Sequence, residues 1–161
     1  MRLAGGNIGV AAPSEEPVQA RLAYGGTPAL GELTAYLDVP LGLQAPAAAR
    51  RAVRSMLASW GFANVRWLDQ ASVVVNELVA SAMRHGGSCL ELRLSADDGQ
   101  VMVSVADGSA VVPRRRDPDD AGGRGLALIE ALTQRWGAEP FEGGKRVWAI
   151  LAPYPGADPT T

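Results

Sequence analysis

The most constraining stretch of the chain is a pair of short segments, Cys89 to Leu94 and Gln100 to Ala106, separated by Ala96-Asp97-Asp98-Gly99. The second segment alternates apolar and polar residues, the period of a strand with one buried face. Asp-Gly between two strands predicts a tight antiparallel hairpin. Such a hairpin must bury one face against something else, and helical periods lie on both sides of it. Ala45 to Trp60 carries Val53, Met56, Leu57 and Trp60 at helical spacing, with Pro46 near its start and Gly61 after its end. Asp69 to His85 reads as a second helix, closed by Gly86-Gly87. Leu126 to Trp136 is expected to form a third, with Leu128, Leu132 and Trp136 on one stripe. Leu33 to Val39 reads as a strand ended by Pro40, and Arg146 to Leu151 as a last strand after a turn at Gly143-Gly144. The order β-α-α-β-β-loop-α-β predicts an α/β (α+β) two-layer sandwich, a mixed and mostly antiparallel sheet with helices on one face.

Outside this block the patterns fade. Gly, Pro and Ala recur through residues 1–32 without a helical or strand period, which predicts a flexible N-terminal tail; residues 33–152 form the domain, and the proline-rich 153–161 a second tail. A chain of 161 residues suits one domain with a core of its own. With one cysteine (Cys89) and one histidine (His85), neither an internal disulfide, nor a cysteine-built zinc site, nor any catalytic or metal site needing two histidines can form. The balance of 15 Lys+Arg against 17 Asp+Glu argues against a protein that binds nucleic acid by neutralising phosphates. No apolar run reaches the roughly 18 residues of a membrane span. A cytoplasmic protein with no nucleic-acid or membrane partner is expected.

Three clusters could carry chemistry. On the second helix Glu77, Ser81, Arg84 and His85 fall in one sector, while Val75, Leu78, Val79 and Ala82 occupy the opposite one. Any amphipathic helix shows such a split, and His85 beside Gly86 could equally favour the free carbonyls of a helix end. Ala106-Asp107-Gly108-Ser109 follows a strand, so that Asp107 could meet a ligand's amino group; Asp-Gly-Ser is also ordinary turn composition. The sharpest cluster is Gly122-Gly123-Arg124-Gly125-Leu126 at the start of the third helix. Glycines let backbone N–H groups approach an anion, the helix N-terminus carries partial positive charge, and Arg124 can bond phosphate. The polar segment 111–121 before it has the makings of a mobile cover. Neither a dinucleotide-binding βαβ unit nor a Walker A loop fits, since the required strand and Gly-Lys-Ser/Thr ending are missing.

Taken together, in this order and on these elements, the clusters resemble the GHKL ATPase superfamily and its Bergerat-type ATP-binding fold. The small anti-sigma-factor serine/threonine kinases and their stand-alone ATP-binding relatives look most similar. Val75-Asn76-Glu77-Leu78-Val79-Ala80-Ser81-Ala82-Met83-Arg84-His85 resembles the family's N-box. Val105-Ala106-Asp107-Gly108-Ser109 resembles its first glycine box, and Gly122-Gly123-Arg124-Gly125-Leu126-Ala127-Leu128 its second. The run Gly144-Lys145-Arg146-Val147-Trp148 is similar to the small branch as well.

The resemblance implies a role for each matching position. Glu77 takes the place of the general base that accepts a proton from the attacking hydroxyl. Asp107 takes that of the aspartate on the adenine amino group, and Gly123, Arg124 and Gly125 that of the phosphate-holding segment. Ser81, Arg84, His85, Gly108, Gly122 and Leu126 complete the implied ATP/ADP site. One departure stands out: Ser81 occupies the position of the Mg²⁺-binding Asn. A hydroxyl reaches less far than an amide carbonyl, so Mg²⁺ ligation is expected to be weak or water-mediated. The implied function is an ATP-binding regulator that binds a sigma factor and phosphorylates a serine of an antagonist protein, with homodimerisation implied in the same way. The alternative is a nucleotide-responsive protein-binding module without phosphotransfer.

Overall fold

The computed structural model describes residues 7–10, 18–23, 33–40, 42–85, 90–107 and 124–155. Seven strands and three helices occur among them: β1 (Asn7–Val10), β2 (Val18–Ala23), β3 (Leu33–Val39), α1 (Ala45–Ser59), α2 (Val65–His85), β4 (Leu90–Asp97), β5 (Gln100–Asp107), α3 (Arg124–Leu132), β6 (Thr133–Phe141) and β7 (Gly144–Leu151). The strands form one sheet in the order β1-β2-β3-β4-β5-β7-β6, with every described pairing antiparallel.

Both C-terminal hairpins turn in the same way. Asp98 (φ 51°) and Gly99 (φ 78°) join β4 to β5; Glu142 (φ 46°) and Gly143 (φ 80°) join β6 to β7. Two consecutive residues with positive φ give the turn whose twist suits a two-residue hairpin, and the glycine takes that backbone without a Cβ penalty.

Alternate residues of the central strands point into one core. Leu37, Leu92, Leu94, Val101, Val103, Val105 and Ala149 are sealed from solvent there. Against them pack Val53 and Leu57 of α1 and Val74, Val75, Leu78, Val79 and Ala82 of α2. The stripe predicted for the second helix is therefore its core face. Buried alanines at 45, 48, 49 and 52 let α1 lie close to its neighbours.

Four boundaries differ from the sequence expectation. The segment read as a tail, 1–32, contributes β1 and β2, which extend the sheet beyond β3. Val18-Gln19-Ala20-Arg21-Leu22 does alternate, and strand addition to a free edge needs only backbone donors and acceptors. The second helix begins at Val65, not Asp69, because Asn64 caps it: Trp67 N–H donates to Asn64 Oδ1 at 2.9 Å. The third helix ends at Leu132, so Trp136 lies on β6 opposite Ala149. Thr133 Oγ1 donates to the Ile129 carbonyl at 2.6 Å at that junction, and Ile129, not Leu128, is the residue of α3 buried in the core. Finally, Tyr154 of the expected C-terminal tail packs edge-on against Phe62 and Trp67. Its hydroxyl accepts from the backbone N–H of Ala63 and Asn64, and Trp67 Nε1 donates to the Ala152 carbonyl at 2.8 Å. This cluster fastens the α1–α2 connection to the chain after β7.

Candidate functional site

The polar side of α2 rises from the packing of its opposite side. With Val75, Leu78, Val79 and Ala82 fixed in the core, helical geometry carries Glu77, Ser81 and Arg84 away from the buried stripe. Glu77 and Ser81 are half-buried and Arg84 is exposed; His85 is the last residue of the helix. Behind this row Arg50 of α1 donates to Asn76 Oδ1 at 3.3 Å, and Asn76 Nδ2 approaches Glu77 Oε1 at 3.5 Å.

The N-terminus of α3 meets that row at Gly125. A Cβ placed on Gly125 would stand 2.6 Å from Glu77 Oε2 and 3.8 Å from Arg84 Nη2. Glycine at this position leaves the Glu77 carboxylate where it lies against the first turn of α3; a Cβ would push it aside. The first backbone N–H groups of a helix have no partner within it and carry the positive end of its dipole, so this turn suits negative charge. Glu77 and the glycine-rich helix start, far apart in sequence, are thus brought together.

Asp107 ends β5 in a sealed environment. Directly opposite it on β7 stands Lys145, whose Nζ donates to Asp107 Oδ1 at 3.1 Å; the two side chains are 1% and 4% exposed. Sequence reasoning assigned Lys145 no role. The available signal was a lysine near the start of a largely apolar strand, but its position opposite Asp107 depends on the β5–β7 register, which spacing alone does not supply. Leu126 is half-buried in α3. Arg124 opens α3, while its side chain, that of His85, the whole of Gly108, Gly122 and Gly123, and the predicted cover at 111–121 lie outside the described residues.

Among the described residues no group of three or more His, Cys, Asp or Glu could hold a metal ion. Magnesium ions commonly keep several waters and share a nucleotide's phosphates, and the Ser81 hydroxyl on α2 would hold one through such a water. No described helix is long and apolar enough to cross a membrane.

The family model for the histidine kinase-like ATPase domain matches residues 39–151, the span from the end of β3 to the end of β7. The chain belongs to this family. It is a GHKL ATP-binding domain: three helices on an antiparallel sheet, as in the Bergerat fold. No individual curated protein is matched significantly by the chain. Membership in the histidine kinase-like ATPase family implies ATP binding, typically with Mg²⁺. The buried carboxylate of Asp107 is an acceptor for an amino group, and the first backbone N–H groups of α3 suit an anion.

Proposed function

We propose that this protein is an ATP-dependent regulator of the anti-sigma kinase kind: it binds a sigma factor and phosphorylates a serine of an antagonist protein. The observation that carries this reading is Glu77, whose carboxylate sits against the α3 turn at Gly125. When bound, ATP would supply the γ-phosphoryl group and leave as ADP. Glu77 accepts the proton of the antagonist's serine hydroxyl, freeing its oxygen to take up that group. The α3 turn, with Gly123 and Gly125 in its glycine box, holds the phosphates by backbone N–H groups. Asp107 accepts from the adenine amino group. Positioning and charge stabilisation supply most of the catalysis in phosphoryl transfer, so a base fixed beside a phosphate-holding turn is the arrangement such a kinase needs.

Ser81 favours the second reading, a module that senses nucleotide and holds its partner without transferring phosphate. One assay separates the two. Purified protein is incubated with labelled ATP, Mg²⁺ and candidate antagonists, beside the Glu77→Gln variant. The kinase reading expects labelled antagonist, and a rate about 10²-fold or more lower in the variant, the usual contribution of a general base. Absence of label despite saturable ATP binding supports the module.

A further inference from the structure

The face of the sheet turned away from the helices carries a second candidate site. Three cross-strand rows build it. Arg93, Ser104, Trp148 and Gly137 stand side by side on β4, β5, β7 and β6. One row to one side holds Glu91, Ala106, Arg146 and Glu139; one row to the other holds Ser95, Met102, Ile150 and Arg135. Between them lies a groove of about 270 Å³, lined by the three arginines, Ser104, Trp148 and apolar neighbours.

The groove has polar groups without partners. Ser104 is 1% exposed, and its Oγ has no hydrogen-bond partner among the described residues; the same holds for the sheltered Nε atoms of Arg93 and Arg146. Such groups cost stability when left unsatisfied. The arginines are also held in place. Arg146 lies 3.9 Å from the centre of the Phe141 ring, and its Nη2 is 3.8 Å from Glu91 Oε1; Arg93 lies 5.9 Å from the centre of the Tyr36 ring. Three guanidinium groups and one carboxylate, Glu139, line the groove, while Glu91 beside Arg146 and Asp38 opposite Glu91 on β3 stand outside it, so the lining itself is net positive. A water molecule would satisfy a hydroxyl but would not balance that charge.

The apolar component is equally specific. A Cβ on Gly137 would stand 2.6 Å from Trp148 Cζ2, so the indole packs directly over a glycine and forms one wall of the groove. A volume near 270 Å³ lies just below the usual range of ligand pockets, which begins at about 300 Å³, and suits one ring and its substituent.

We propose that this groove binds a small oxyanion carried on a flat apolar ring. Arg93, Arg146 and the Ser104 hydroxyl donate to the oxyanion, and the ring lies against Trp148. Planar guanidinium forks suit carboxylate and phosphate alike, so the two sources are separated by experiment. The proposal stands apart from the nucleotide site and does not depend on it.

The test is a titration of the full-length ¹⁵N-labelled protein, followed through the Trp148 indole N–H and the Arg93 and Arg146 Nε–H signals. The probes are benzoate, phenyl phosphate, inorganic phosphate and the uncharged benzyl alcohol. Saturable shifts of these signals are expected with benzoate or phenyl phosphate, at least about tenfold tighter than with benzyl alcohol, the tighter of the two identifying the oxyanion. Arg93→Ala and Ser104→Ala should each weaken that binding about tenfold, the loss of one bond to a charged group. Ser104→Ala removes a hydroxyl that has no described partner, so it keeps the fold and the test remains decisive if Arg93→Ala does not. Absence of shifts, equal response to benzyl alcohol, or unchanged affinity in Ser104→Ala would overturn the proposal. So would a dimer in sedimentation that Arg93→Ala dissociates, or tighter binding of a hexaglutamate peptide at the same signals, since the face would then serve a macromolecule.

Discussion

Lys145 and Asp107 face one another across β7 and β5, with Nζ 3.1 Å from Oδ1 and both side chains almost sealed from solvent. Charges so far from water are tolerated only with close partners, and removing one member of a buried pair costs about 3–5 kcal/mol. Lys145→Met is therefore expected to lower the free energy of unfolding by about that amount, and Lys145→Met with Asp107→Asn to recover much of it. Urea denaturation followed by tryptophan fluorescence measures both. A single variant as stable as the parent would show that the pair contributes little.

Gly125 is tested through function more than through stability. Gly125→Ala puts a Cβ where Glu77 Oε2 now stands, but that atom ends a flexible side chain and can swing aside. The expected cost in unfolding free energy is small, below about 1 kcal/mol. Phosphotransfer should fall by an order of magnitude or more, because a base moved by about 1 Å is misaligned. Kinetics together with a melting curve tests this; a variant that melts normally and transfers phosphate at the parent rate would detach Gly125 from the placement of Glu77.

The chain after β7 is expected to be part of the folded unit. Tyr154→Phe keeps the ring packed on Phe62 and Trp67 but removes the acceptor for two backbone N–H groups. A loss of about 1–2 kcal/mol is expected by chemical denaturation. No loss would mean that water replaces the phenol oxygen without penalty.

Much of this architecture is legible in the sequence where local chemistry dictates it. Asp98-Gly99 specifies its turn, and the stripe Val75, Leu78, Val79 and Ala82 specifies the buried face of α2. What escapes is set at long range. Residues 18–23 become a strand because β3 offers them an edge, and Thr133 to Phe141 become one because β7 does. The helical spacing of Leu128, Leu132 and Trp136 is overridden by that pairing. At the site, the residue types were readable on α2 and at the helix start, but the partner of Asp107 was not. A register joins Lys145 to it, and no motif spells that register out.

Ser81 sets the expected metal dependence. A hydroxyl on α2 reaches less far than the amide of Asn, so ATP binding should depend only weakly on Mg²⁺. Ser81→Asn is expected to increase that dependence and to raise the rate of phosphotransfer. Parallel titrations with and without Mg²⁺ decide it; an unchanged metal dependence in the variant would mean that Ser81 already serves as an adequate ligand.

An adenine nucleotide is expected to bind between α2, α3 and the end of β5, with Asp107 on the base and Glu77 reserved for the chemistry. Calorimetric titration of ATP into the parent protein, Asp107→Ala and Glu77→Gln tests it most directly. Saturable binding by the parent, affinity about tenfold or more lower in Asp107→Ala, and nearly parental affinity in Glu77→Gln are expected, with circular dichroism confirming that each variant is folded. A folded Asp107→Ala variant that binds ATP as tightly as the parent would contradict it.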